Sequence, residues 1–216
     1  APIPVQNVMC GMFHDRKVGS VSLSPDTYII ATANRSEHKS GANRLVTKLA
    51  GRVRRIAFTE DLGDWENWAF SNNVDSVLIQ YLRFSGKLSE FDPAADACPT
   101  PRNWARVALT PTDMDSDLYF EHVAGDVGEG AAAGYTAFRK IFNDLPDLSR
   151  VLTDPMGTEV PQKLDVAYAT LGALTKYVKD IDTWNATLKY AERFSPDMAI
   201  MFVQDVTRKM PELMST

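Results

Sequence analysis

An asparagine at the end of an apolar run is one of the side chains best suited to chemistry in this sequence. The run 28–33 is apolar or small, and it ends on Asn34. This pattern predicts a buried parallel strand that presents one polar side chain at its carboxyl end, where ligands of open α/β sheets bind. An asparagine there can orient a water molecule or contact a phosphate without adding charge. The alternative is structural, in which Asn34 caps the turn that follows the strand.

A basic cluster is the second candidate, because Arg52, Arg54 and Arg55 follow a predicted helix at 42–51. An arginine at such a corner can reach an anion on a neighbouring subunit. Most surface arginines are simply solvated, so this cluster alone does not establish a site. The residues that follow predict a strand at 53–58, whose alternation puts Arg52 and Arg54 on the same face.

Arg102 is the third candidate, because it follows Pro101 at the predicted start of a helix over 102–108. A cation in the first turn opposes the helix dipole. An anion bound in front of the helix would remove that conflict, which favours a phosphate contact. The alternative is an ordinary exposed residue in the first turn of a helix.

Two structural classes are predicted along the chain, α/β over 1–60 and all-α beyond it. The first part contains a helix at 4–14, a hairpin at 16–25, the two strands and the helix at 42–51. The hairpin carries Arg16 and Lys17 at its base, and it is either a contact for a substrate or a purely structural turn. Helical periodicity then predicts helices that begin near Asp64, Val74, Arg102, Met114, Ala131, Leu164 and Pro196, with a proline-rich linker over 146–161.

Composition limits the classes of function. The chain has 216 residues and a net charge of −5, which argues against a general nucleic-acid binder. Cys10 and Cys98 are too few for a disulfide framework and favour a reducing compartment. We find neither a signal-peptide pattern nor an apolar run long enough to span a membrane. We therefore expect a cytoplasmic protein without a membrane partner.

Two further patterns predict no site. The glycine-rich segment 125–130 leads into Ala131 without the Lys-Ser or Lys-Thr of a phosphate loop, so it predicts a tight turn and close helix packing. The three histidines, His14, His38 and His122, have no metal-ligand spacing, so we expect no metal site.

Five segments in the same order resemble the motifs of AAA+ ATPases, in particular the MoxR-like branch and its phage-encoded relatives. They are the helix after the Walker B acids (4–12), the hairpin before the sensor-one strand (15–25), that strand (30–35), the arginine-finger corner (49–53) and the sensor-two start of a lid helix (100–104). The resemblance covers roughly residues 1–110 motif by motif and continues more loosely to the end. It implies the end of a P-loop-type α/β core over 1–60, a helical lid over 61–110 and a helical extension over 111–216.

The resemblance also implies a role for each candidate residue. Asn34 would position the attacking water, and Arg52, with Arg54 as the second candidate, would be the finger that acts on a neighbouring subunit. Arg102 would contact nucleotide phosphate from the lid. ATP and Mg²⁺ would bind between the subunits of a homo-oligomer, a hexameric ring, and hydrolysis would remodel a protein client, as a chaperone does.

The sequence departs from the family in lacking both a G-x-x-x-x-G-K-[ST] loop and an apolar run that ends on Asp-Glu. These motifs supply the phosphate cradle and the metal ligand of P-loop enzymes. We therefore expect the chain to be the carboxyl-terminal portion of a larger ATPase and to be inactive alone. The alternative is a non-enzymatic helical interaction or scaffold module derived from an ATPase half.

Overall fold

The computed structural model describes residues 1–33 and 45–214, and this part of the chain is mostly helical. It divides into two compact units. The amino-terminal unit comprises residues 1–59 with 92–94, and the helical unit comprises residues 60–91 with the chain from Ala95 onward.

The amino-terminal unit contains two helices and one small hairpin. Its elements are α1 (Ile3–His14), β1 (Lys17–Val18), β2 (Val21–Ser22) and α2 (Thr47–Ala50). The strands pair antiparallel, and Gly19 makes the turn with a φ of +60°. Arg16 Nη2 closes the hairpin by donating to the carbonyls of Ser24 and Thr27, at 2.7 and 2.6 Å. The predicted helix at 4–14 and hairpin at 16–25 are therefore confirmed.

The two strands predicted at 27–33 and 53–58 are wrong for this structure. Both segments are irregular, and Tyr28, Ile30 and Ile56 are 93%, 88% and 80% exposed. A parallel strand exists only beside a hydrogen-bonded neighbour. The described residues supply no strand other than β1 and β2, which pair with each other. The predicted helix at 42–51 is reduced to α2, and residues 42–44 lie outside the described part.

The helical unit is built around α4, which is buried on most sides. Its helices are α3 (Leu62–Ser71), α4 (Ser76–Ser85), α5 (Pro101–Ala108), α6 (Ser116–Val127), α7 (Glu129–Asn143), α8 (Arg150–Thr153), α9 (Leu164–Leu174), α10 (Ile181–Ala191) and α11 (Pro196–Lys209), followed by a 3-10 turn at Pro211–Met214. The α4 helix packs against α7 and α9. Tyr81 lies at the centre of an aromatic cluster with Trp104, Tyr135 and Phe138, at ring separations of 5.4 to 5.8 Å.

Side-chain caps fix where several of these helices begin. The sequence predicts a helix start near Asp64, but α3 begins at Leu62, because Asp61 caps it by accepting from the Asp64 amide. The α10 helix is absent from the sequence-based prediction, although Asp180 and Thr183 form a capping box at its start. The other helices predicted beyond residue 60 are confirmed. None of the described helices is long and apolar enough to cross a membrane.

The glycine-rich segment 125–130 contains the turn that joins α6 to α7. Gly128 has a φ of +82° and precedes α7, and a β-carbon there would lie 2.9 Å from the carbonyl oxygen of Ala97. One turn into α7, a β-carbon on Gly134 would lie 2.6 Å from Tyr81 Oη. The predicted turn and close helix packing are both present.

Candidate functional site

The residues predicted for nucleotide chemistry in the amino-terminal unit are only partly described. Asn34 lies outside the described residues. Arg52 is exposed in the turn after α2, and its Nη1 donates to the carbonyl of Lys48 at 2.6 Å. Arg54 and Arg55 are exposed in the irregular segment that follows. In this structure Arg52 therefore binds a carbonyl of the last turn of α2, and its role as a finger stays a prediction.

Arg102 occupies the second position of α5, as the sequence predicts. Thr100 caps this helix by accepting from the Asn103 amide at 3.2 Å, and Pro101 opens it. Arg102 is exposed, whereas Trp104, two residues further along α5, is buried. The guanidinium therefore lies on the solvent side of a helix start. Arg52 and Arg102 belong to different units, so their assignment to one site stays a prediction.

A buried polar cluster in the helical unit is a feature that sequence reasoning missed. Arg83 of α4 binds Glu66 of α3 through Nε and Nη2, at 2.7 and 2.8 Å. It binds Asp205 of α11 through Nη1 and Nη2, at 2.5 and 2.8 Å. All three side chains are buried. Arg83 and Glu66 are 17 positions apart in the sequence, and Arg83 and Asp205 are 122 apart. No local sequence pattern therefore predicts the cluster.

The charges in this cluster balance one another. Arg208 adds a second cation, with its Nη1 at 3.2 Å from Glu66 Oε2. Burial lowers the pKa of Arg83, but hydrogen bonds to Glu66 and then to Asp205 outweigh it and raise that pKa above its ordinary value. Arg83 therefore stays charged at every ordinary pH. A permanently paired guanidinium cannot exchange protons with a substrate, so the cluster joins α3, α4 and α11 rather than performing acid–base chemistry.

A cleft of about 380 Å³ lies within the helical unit and includes part of this cluster in its wall. Its lining residues are Phe70, Asn73, Val74, Asp75, Ser76, Ile79, Gln80, Thr175, Lys176, Asp205, Arg208 and Lys209. Gln80 connects the cleft to the cluster, because its Nε2 donates to Asp205 Oδ2 at 3.0 Å. The cleft thus combines buried polar groups with exposed cations, which suits binding rather than covalent chemistry.

Within residues 1–33 and 45–214, no group of three or more His, Cys, Asp or Glu side chains could hold a metal ion. Comparison with known proteins does not add to the assignment. No family model matches the chain, and no curated protein or solved structure is similar enough to indicate a relationship.

Proposed function

We propose that this chain is the sensor- and finger-bearing portion of a MoxR-like AAA+ ATPase. The observation that carries the proposal is Arg102, an exposed cation in the first turn of a capped helix within the segment Thr100–Trp104. A cation there opposes the dipole of its own helix unless an anion binds in front of it. Because the five motifs occur in the same order as in AAA+ ATPases, we propose that this anion is nucleotide phosphate.

In this proposal each candidate acts on one part of the reaction. Asn34 orients the attacking water, and Arg52 stabilises the charge that spreads over the phosphate of ATP on a neighbouring subunit. Arg102 contacts phosphate from the lid. ATP and Mg²⁺ are held in a homo-oligomeric ring, and hydrolysis remodels a protein client.

The exposed apolar residues of the amino-terminal unit support the same proposal. Tyr28 and Ile30 alternate along one segment, and Ile56 lies in another, and all are more than three-quarters exposed. Burying them would stabilise the unit, since apolar surface contributes about 25 cal/mol per Å² removed from water. A sheet that joins both segments would do this. The proposal requires that sheet, a Walker A loop and Walker B acids from residues other than these 216.

The test begins with the gene and continues with the enzyme. The coding sequence ahead of Ala1 should encode a G-x-x-x-x-G-K-[ST] loop and an apolar strand that ends on Asp-Glu. In that intact protein, Arg52→Ala should abolish steady-state hydrolysis while ATP binding is retained, because a finger acts on the transition state. Arg55→Ala, which removes an equally exposed arginine, is the control. A gene without these motifs would contradict the proposal.

The second candidate is a non-enzymatic interaction module. The helical unit favours it, because this unit has a continuous hydrophobic core of its own. The coding sequence ahead of Ala1 also distinguishes the two candidate functions. If Walker motifs are absent, the interaction module becomes the better assignment.

A further inference from the structure

Gln80 lines the cleft of the helical unit and has a buried acceptor with no hydrogen-bond partner in the described part of the chain. Among the described residues, only two buried side-chain nitrogen or oxygen atoms lack a partner, Arg16 Nε and Gln80 Oε1. Gln80 is 1% exposed and lines the cleft. Buried polar groups are almost always hydrogen-bonded, because an unmade bond in the interior costs free energy. Gln80 Oε1 therefore lacks a donor that the described residues could supply, and a bound ligand could provide one.

Gln80 cannot easily turn to find a donor elsewhere. Its Nε2 is held by Asp205, which also accepts from both Nη atoms of Arg83. Behind it lies Gly172 of α9, where a β-carbon would collide with Gln80 Cγ. The amide is thus fixed in orientation by a hydrogen bond on one side and by backbone packing on the other.

The exposed part of the cleft is rich in cations. Lys176, Arg208 and Lys209 line it and are exposed. Arg208 is engaged with Glu66 and lies over the ring of Phe70. Lys176 is 3.9 Å from Asp75, and Lys209 forms no ion pair within the described part of the chain. The positive charge of Lys209 is therefore available to a ligand, and that of Lys176 is only partly offset.

We propose that this cleft binds a small ligand that carries both an oxyanion and an N–H or O–H donor. The donor bonds to Gln80 Oε1, and the oxyanion interacts with Lys176 and Lys209. The volume of about 380 Å³ lies within the range of small-molecule sites, roughly 300–1,000 Å³. The site is built entirely from the helical unit and does not depend on the proposed ATPase function.

Calorimetric titration of the full chain tests this proposal, with inorganic phosphate and glutamate as separate probes at constant ionic strength. Each probe carries an oxyanion and a donor. The probe that binds therefore shows whether the cleft prefers a phosphate or a carboxylate. We expect saturable one-to-one binding of at least one probe. Lys176→Ala with Lys209→Ala should raise its Kd by about tenfold or more, as expected for lost charge-assisted hydrogen bonds. Lys189→Ala, at an exposed position of α10 that does not line the cleft, should leave the Kd unchanged.

Gln80→Leu provides the second variant, because it keeps the volume and removes the acceptor. Where circular dichroism shows that this variant folds, it should also weaken binding of the probe. If it does not fold, the two surface lysine substitutions still decide the question. Absence of saturable binding by the folded chain for both probes would overturn the proposal. So would binding that the double lysine variant does not weaken.

Discussion

At the scale of single residues, Arg83 is a charged side chain that lies buried in the helical unit. Its guanidinium is the common partner of two buried carboxylates from two other helices. Removing one partner of a buried charge cluster leaves the remaining charges without compensation. The stability of this unit should therefore depend on Arg83 far more than on any exposed ion pair.

We predict that Arg83→Met lowers the free energy of unfolding by about 3–5 kcal/mol, because Glu66 and Asp205 stay buried without their main cation. The matched control is Lys87→Met, which removes an exposed ion pair with Glu90. Such surface pairs contribute about 0–1 kcal/mol. Urea unfolding of both variants measures the difference. Equal losses would show that the buried cluster does not stabilise the unit.

For Arg102 we predict the opposite pattern, in which substitution has a large effect on nucleotide binding and a small effect on the free energy of unfolding. Since it is exposed at the start of α5, Arg102→Ala should change the free energy of unfolding by less than about 0.5 kcal/mol. In the proposed intact ATPase the same substitution should weaken the binding of ATP more than that of ADP, because the guanidinium would contact phosphate. Nucleotide titrations on that protein measure both affinities. Equal affinities before and after substitution would remove Arg102 from the site.

At the scale of elements, the approach of α7 to α4 depends on one glycine. A β-carbon on Gly134 would be 2.6 Å from Tyr81 Oη, and the ring of Tyr81 is enclosed by Trp104, Tyr135 and Phe138. The ring therefore has little room to move aside. Gly130, near the start of the same helix, has nothing within 4 Å of its β-carbon position.

The same substitution at these two glycines should therefore have opposite effects. Gly134→Ala should destabilise the chain by about 1–3 kcal/mol through overpacking. Gly130→Ala should be neutral or stabilise it by up to about 1 kcal/mol, because alanine restricts the unfolded chain and fits a helix. Thermal unfolding of the pair is the measurement. Similar losses of stability at both positions would mean that α7 does not lie in close contact with Tyr81 of α4.

The start of α10 should respond to acid. The Thr183 amide, and then the Thr183 hydroxyl, hold the pKa of Asp180 below its ordinary 3.8. A depressed folded-state pKa means that this stabilisation is present above the ordinary pKa and is lost as pH falls through the folded value. Asp180→Asn can still cap the helix but does not titrate. The stability of wild type relative to Asp180→Asn should therefore fall between about pH 5 and pH 2, measured by urea unfolding. A constant difference would contradict this.

Helices were predictable from this sequence because their evidence is local. The spacing of apolar residues and the Ser195-Pro196 start of α11 are both read from neighbouring residues. The segments at 27–33 and 53–58 have strand-like sequences, but a strand also needs a partner, and sequence does not say whether one is present. The Glu66–Arg83–Asp205 cluster was not predictable, since its members meet only after the helices pack.

At the scale of the whole molecule, the two units differ in how completely they bury their apolar residues. The helical unit has a continuous core that extends from Trp65 to Val206. In the amino-terminal unit the only buried residue of α1 is Gln6, which accepts from the Val46 amide, while Val5 and Val8 are exposed. A helix with this distribution is expected where further structure packs on it. In our proposal, the ATPase core would supply that structure.

The most direct test of the proposed ATPase is a mixing experiment with two inactive variants of the intact protein. One variant carries Arg52→Ala, and the other carries a substitution of the Walker B glutamate. Because a finger serves the neighbouring subunit, mixed rings should contain interfaces with one intact site and one intact finger. We predict that the mixture hydrolyses ATP while each variant alone does not. If the mixture stays as inactive as its components although both variants assemble and bind ATP, Arg52 is not a finger and the central claim fails.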